Sequence, residues 1–123
     1  MTRLERAITP LCEDHPGECG ILALDDSLDA FAARYRLTEM AERTLDVQYY
    51  IWESDMSGLL LFSVLLAAAK RGVRVRLLLD DNNTPGLDDT LRLLDNHPNI
   101  EIRLFNPFSF RILRSEERRV GKE

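Results

Sequence analysis

The chain has 123 residues, 45% hydrophobic and 30% charged, with a formal net charge of −5. This is an ordinary globular balance, with room for one small domain or part of a larger one. The last ten residues hold four bases (Arg114, Arg118, Arg119, Lys122) and three acids (Glu116, Glu117, Glu123), so they carry +1 and the body carries −6. An acidic body argues against a nucleic-acid partner, while a phosphate-bearing substrate at one local site stays compatible with it.

Residues 1–19 read as a weakly patterned lead-in, with a short helix over Leu4–Leu11 that Pro16-Gly17 would end. The stretch "MTRLERAITPLCEDHPGEC" has acids and a proline where a secretory signal needs an apolar run. Cys12 and Cys19 flank His15. Those three fall short of a four-ligand metal knuckle, so the reading is two ordinary thiols and no metal site. "GILAL" (Gly20–Leu24) is apolar enough for an edge strand. "DDS" (Asp25–Ser27) offers capping oxygens to a helix in which Leu28, Phe31, Ala32 and Tyr35 recur at amphipathic spacing, running to about Arg43.

"TLDVQYYIWE" (Thr44–Glu53) is rich in β-branched and aromatic residues and apolar on both faces, which predicts a central strand covered on both sides. In "SDMSG", Asp55 or Ser57 can cap the next helix, Leu59 to Arg71, which is apolar nearly all round. Its run "LLLFSVLLAAA" is far short of the roughly 20 residues of a membrane span. Lys70-Arg71 suits a helix C-terminus, and Gly72 suits the left-handed position after it. "VRVRLLLDD" (Val73–Asp81) is a second strand. Leu87, Leu91 and Leu94 mark a short helix stopped at "NHPN", and "IEIRLF" (Ile100–Phe105) is a third strand. Helix-sized crossovers between strands imply parallel pairing. The expected class is α/β, a mostly parallel sheet with helices on both faces.

Ligands of open parallel sheets bind at the carboxyl ends of the strands. Glu53 and Asp55, then Asp80, Asp81, Asn82 and Asn83, then Asn106 fall there. The adjacent acids Asp80 and Asp81 have the chemistry to hold Mg²⁺ or accept a phosphoryl group, and the same residue types also suit turns and caps. His15 and His97 have no visible catalytic partners and read as structural or solvated. From the residues alone, a Mg²⁺-dependent receiver-like domain using Asp80/Asp81 and a non-catalytic interaction module both stay open.

"LDVQYYIW", "AAAKRGVRVRLLLDD" and "HPNIEIRLFNPF", in that order and spacing, resemble the cardiolipin synthase-like branch of the bacterial phospholipase D superfamily. The resemblance spans about Gly20 to Leu113. It implies a phospholipase D-type half domain, here incomplete, within a phosphodiesterase or phosphatidyltransferase. Two H-x-K-x4-D motifs would supply a phosphohistidine nucleophile and a general acid, with no metal or other cofactor. It further implies a phospholipid substrate, a membrane surface, and a location in the cytoplasm or peripheral at the inner membrane. The sequence holds no H-x-K-x4-D motif, so no catalytic residue carries over. The expectation is an N-terminal fragment, inactive alone, that needs a C-terminal remainder to complete its site. What carries over is the wall of a substrate pocket: Tyr50, Trp52, Glu53, Asp80, Asp81 and Asn82. Residues 114–123, "RSEERRVGKE", match the translation of a short-read sequencing adapter at every position and are read as a non-native tail.

Overall fold

Three parallel strands form one sheet in the order β1-β2-β3, with β1 at Thr44–Tyr49, β2 at Arg74–Asp80 and β3 at Ile100–Phe105. The computed structural model describes residues 1–50, 52, 55–80 and 87–105. Helices α1 (Arg3–Glu13) and α2 (Ser27–Met40) precede β1; α3 (Met56–Lys70) joins β1 to β2 and α4 (Asp88–Asp95) joins β2 to β3. The class is therefore α/β.

Strand alternation sorts side chains onto two unlike faces. On one face the cross-strand rows are Leu45, Val75 and Ile100; Val47, Leu77 and Ile102; Tyr49, Leu79 and Leu104. These pack under α3 and α4 in one core, with Phe62, Leu65, Ala68 and Ala69 from α3 and Leu91 and Leu94 from α4. Burying such side chains stabilises the fold by roughly 1.5–3 kcal/mol each. The other face carries Asp46, Arg76 and Glu101 in one row, with Gln48, Leu78 and Arg103 in the next. Arg76 and Asp46 remain half exposed there, at 51% and 58%. The described helices thus cover one face, where the sequence predicts both.

Local chemistry explains most boundaries. Thr2 and Glu5 form a reciprocal capping box at α1, which starts earlier and ends later than expected. Asp26 caps α2 through the amides of Leu28 and Asp29. Asp55 caps α3 through the Gly58 amide at 2.9 Å. Gly72 has φ +99°, the left-handed turn expected after α3. At the amino edge, Arg71 Nη2 donates to the carbonyls of Thr38, Glu39 and Ala41 at 3.1, 3.0 and 3.0 Å. Asn99 Nδ2 donates to Ala69 O at 3.0 Å, and Arg74 N donates to Arg43 O.

Several expectations are corrected. "GILAL" forms no strand: Ile21 is 93% and Leu22 82% exposed, and no described strand lies beside it to complete a ladder. α2 packs through Phe31 and Tyr35, but Leu28 stays exposed, and the helix ends at Met40, where the backbone of Ala41 turns extended. β1 ends at Tyr49 and is an edge of the described sheet; β2 is central. Its dense aromatic run misleads because Trp52 leaves the strand direction and enters the core under α3.

Candidate functional site

The carboxyl ends of the strands meet at a cavity of about 410 Å³ lined by Gln48, Tyr49, Tyr50, Leu78, Leu79, Asp80 and Phe105. Tyr50 follows β1 directly and is 68% exposed; Phe105 ends β3 and is 60% exposed. Asp80 pairs in register with Phe105, is only 6% exposed and has interaction partners of its own. The cavity is therefore a buried carboxylate flanked by aromatic and aliphatic walls. Such a surface suits a ligand with an apolar body and a polar group. Among the described residues that line it there is no nucleophile–base pair.

A second cavity, of about 230 Å³, opens beside the start of α3 and is lined by Phe31, Arg34, Tyr49, Trp52, Asp55, Ser57, Gly58 and Leu61. Trp52 stacks on Phe62 with ring centroids 4.4 Å apart and meets Tyr49 edge-on at 4.7 Å. Its indole Nε1 donates to Gly58 O at 3.2 Å. The Arg34 guanidinium lies over the Tyr49 ring, 5.8 Å from its centroid. The Tyr49 hydroxyl is buried and has no hydrogen-bond partner. Burial pushes its pKa up, and the Arg34 charge pulls the other way. The Gly58 amide, then the Ser57 hydroxyl, hold the Asp55 carboxyl below the usual carboxylate range.

Of the six expected wall residues, Tyr50 and Asp80 line the carboxyl-edge cavity and Trp52 lines the second. Glu53, Asp81 and Asn82 lie outside the described residues, as do Asn83 and Asn106. Sequence reasoning missed Gln48, Leu78 and Phe105. Their signal was the strand alternation itself, which sends residues 48, 78 and 105 to the face opposite the core. Arg34 and Tyr49 were missed because a ring–guanidinium contact across 15 residues has no sequence periodicity.

His97 Nδ1 accepts from the Asn99 amide at 3.1 Å, a turn role, and His15 Nδ1 lies 3.2 Å from Leu11 O. Cys12 and Cys19 are exposed free thiols. Among the described residues no three His, Cys, Asp or Glu side chains are grouped to hold a metal ion. Among them, too, no helix is long and apolar enough to cross a membrane.

No family model matches the chain. Cardiolipin synthase C of Escherichia coli (strain K12) is 79% identical over 114 residues, covering 93% of this chain and 24% of that protein. An uncharacterized protein of Helicobacter pylori (strain ATCC 700392 / 26695) is 38% identical over 99 residues, 80% of this chain and 20% of that one. Cardiolipin synthase A of Citrobacter koseri is 33% identical over 75 residues, 57% of this chain and 15% of that one. The chain thus spans about a quarter of the length of cardiolipin synthase C or less of these relatives. Among solved structures, TrmBL2, an archaeal chromatin protein with a novel mode of DNA binding, is similar with a TM-score of 0.51. It shares 18% identity, and the match covers 86% of this chain and 42% of that one, a likeness of fold alone.

Proposed function

We propose that this chain, cardiolipin synthase-like in sequence across 93% of its length, is the N-terminal part of a phospholipase D-type phosphatidyltransferase. The observation that carries the reading is the 79% identity to cardiolipin synthase C. The full-length protein moves a phosphatidyl group between two alcohols at a membrane surface. A histidine outside this chain attacks phosphorus, and the first alcohol leaves with a proton from a second histidine; a hydroxyl of another phospholipid then gives its proton to that second histidine and displaces the first histidine from phosphorus. Splitting one displacement into two in this way lowers each barrier. This chain contributes the wall of the site at the carboxyl edge of its sheet, with Tyr50, Phe105 and Asp80 toward the substrate.

The test is to express the full-length gene and assay it on phospholipid vesicles by mass spectrometry. Appearance of cardiolipin, and its loss when the histidine of a downstream H-x-K-x4-D motif is changed to alanine, is the expected result. A full-length sequence without such a motif, or a protein that leaves phospholipids unchanged, overturns the reading. Mg²⁺ titration followed by NMR at Asp80 and Asp81 checks the competing phosphotransfer chemistry; this proposal expects no site-specific shift.

A further inference from the structure

We propose that α1 is an interfacial helix, which lays its apolar stripe on the lipid surface that holds the substrate. The proposal rests on the reading of the full-length protein as a phosphatidyltransferase, and it names the element that meets the membrane.

Around the helix axis Ala7, Leu11, Leu4, Ile8 and Cys12 follow one another across an arc of roughly 140°. Arg3, Glu5, Arg6 and Glu13 fall on the opposite side. A stripe of this width normally faces a core. Here α1 buries no residue: Ile8 is 51% and Leu11 63% exposed, and Cys12 is an exposed thiol. The Thr2–Glu5 capping box secures the first turn by bonds of its own. The body holds α1 at that same turn, where the Arg3 amide and Nε donate to Glu42 Oε1 at 3.1 and 2.9 Å. Arg3 stands on the charged side, so the tie leaves the stripe open. Beyond the helix the same lead-in carries Ile21 and Leu22, the most exposed large apolar side chains among the described residues.

Three arguments select a lipid surface as the occupant. An apolar stripe opposite a charged side is the pattern of a helix lying in the plane of a membrane interface, and the proposed reaction draws its substrate from a membrane. Charge does not oppose it, because the helix's two cations and two anions balance. The stripe is also too narrow for a second copy: a stable interface takes about 20–30 residues a side, whereas a lipid surface needs no matching shape.

The test uses the full-length protein and phosphatidylcholine vesicles. An environment-sensitive fluorophore is placed on Cys12, within the stripe, with every other cysteine changed to serine. A second preparation carries it at Glu13→Cys, on the charged side, with Cys12→Ser. On adding vesicles, the Cys12 label is expected to shift its emission to the blue and to be quenched by brominated acyl chains, and the Glu13→Cys label to do neither. Emission at Cys12 that is blue before vesicles are added and unchanged by them overturns the proposal, since the rest of the protein then covers the stripe. A blue shift that follows protein concentration and not lipid also overturns it, marking a second copy. Ile8→Asp combined with Leu11→Asp gives an independent reading. Neither side chain is buried, so the circular dichroism spectrum is retained, while the fraction that floats with vesicles falls at least about tenfold. An unchanged floating fraction overturns the proposal as well. Phosphatidyl transfer is assayed on the same preparations, from vesicles and from a short-chain phospholipid dissolved as monomers. The double variant is expected to lose transfer from vesicles and keep it from monomers. Transfer by a protein whose Cys12 label never meets lipid sinks the docking alone. A lipid-quenched Cys12 label on a protein that transfers from neither substrate sinks the functional reading alone.

Discussion

At the scale of single residues, two groups that line the cavity beside the start of α3 have opposite electrostatic fates. Asp55 is ionised more readily than a free aspartate because the Gly58 amide and the Ser57 hydroxyl donate to it. Its folded pKa is depressed, so its stabilisation is fully present above about pH 4 and is lost as pH falls through the lower folded value. Urea unfolding measured from pH 6 down to pH 2 is expected to show that loss, and Asp55→Asn to flatten it. Tyr49 runs the other way. Its hydroxyl is buried without a partner and its pKa is raised. An unpaired buried hydroxyl is a cost, so Tyr49→Phe is expected to leave stability unchanged or raise it by about 1 kcal/mol, read from the denaturation midpoint. A clear loss of stability in that variant would mean the hydroxyl has a partner after all.

At the scale of elements, stability concentrates where capping and packing coincide. Leu65 on α3 is 3% exposed and sits within the core cluster. Leu65→Ala is expected to cost about 2–5 kcal/mol, enough to threaten a small domain. Asp26→Ala removes the side chain that holds two amides of α2 and is expected to cost about 1 kcal/mol by thermal or urea denaturation. These elements were legible in the sequence for local reasons: cap residues, the left-handed Gly72 and three strand-like runs lie where expected, although the first strand ends sooner, at Tyr49. The order of strands was not local. Nothing in "TLDVQYYIW" distinguishes an edge strand from a central one, because its apolar density reflects Trp52 turning into the core as much as burial of a sheet face. Likewise "GILAL" has strand composition but no described neighbour to pair with. Among the residues lining the carboxyl-edge cavity, Tyr50 and Asp80 were readable from their place at strand ends. Phe105 needed the register that sets it beside Asp80.

At the scale of the whole molecule, the resemblance read from three short motifs is borne out by the match to cardiolipin synthase C and, more weakly, to cardiolipin synthase A. No argument from composition alone reaches that far, since an acidic α/β chain is common to many functions. The carboxyl-edge cavity joins groups from all three strands, so its shape is a property of the assembled sheet. On the proposed function, Phe105→Ala in the full-length protein is expected to raise KM for phospholipid several-fold while kcat changes little, the signature of a lost binding contact. A matching fall in kcat would place Phe105 closer to the chemistry. We read residues 114–123 as a non-native extension from their sequence alone, and their removal is expected to leave the melting temperature and the circular dichroism spectrum unaltered.

The clasp at the amino edge has a consequence for how such a domain can change over evolution. Arg71 holds three carbonyls at the end of α2, Asn99 holds the end of α3, and Arg74 N is tied to Arg43 O. The three turns that lead into β1, β2 and β3 are thereby joined into a single plate. A residue inserted at 41–43, 71–73 or 96–99 would break hydrogen bonds belonging to a neighbouring loop as well as its own. Lineages can therefore vary the length of one of these turns only by compensating in another, and natural insertions should be scarce along this edge of the sheet.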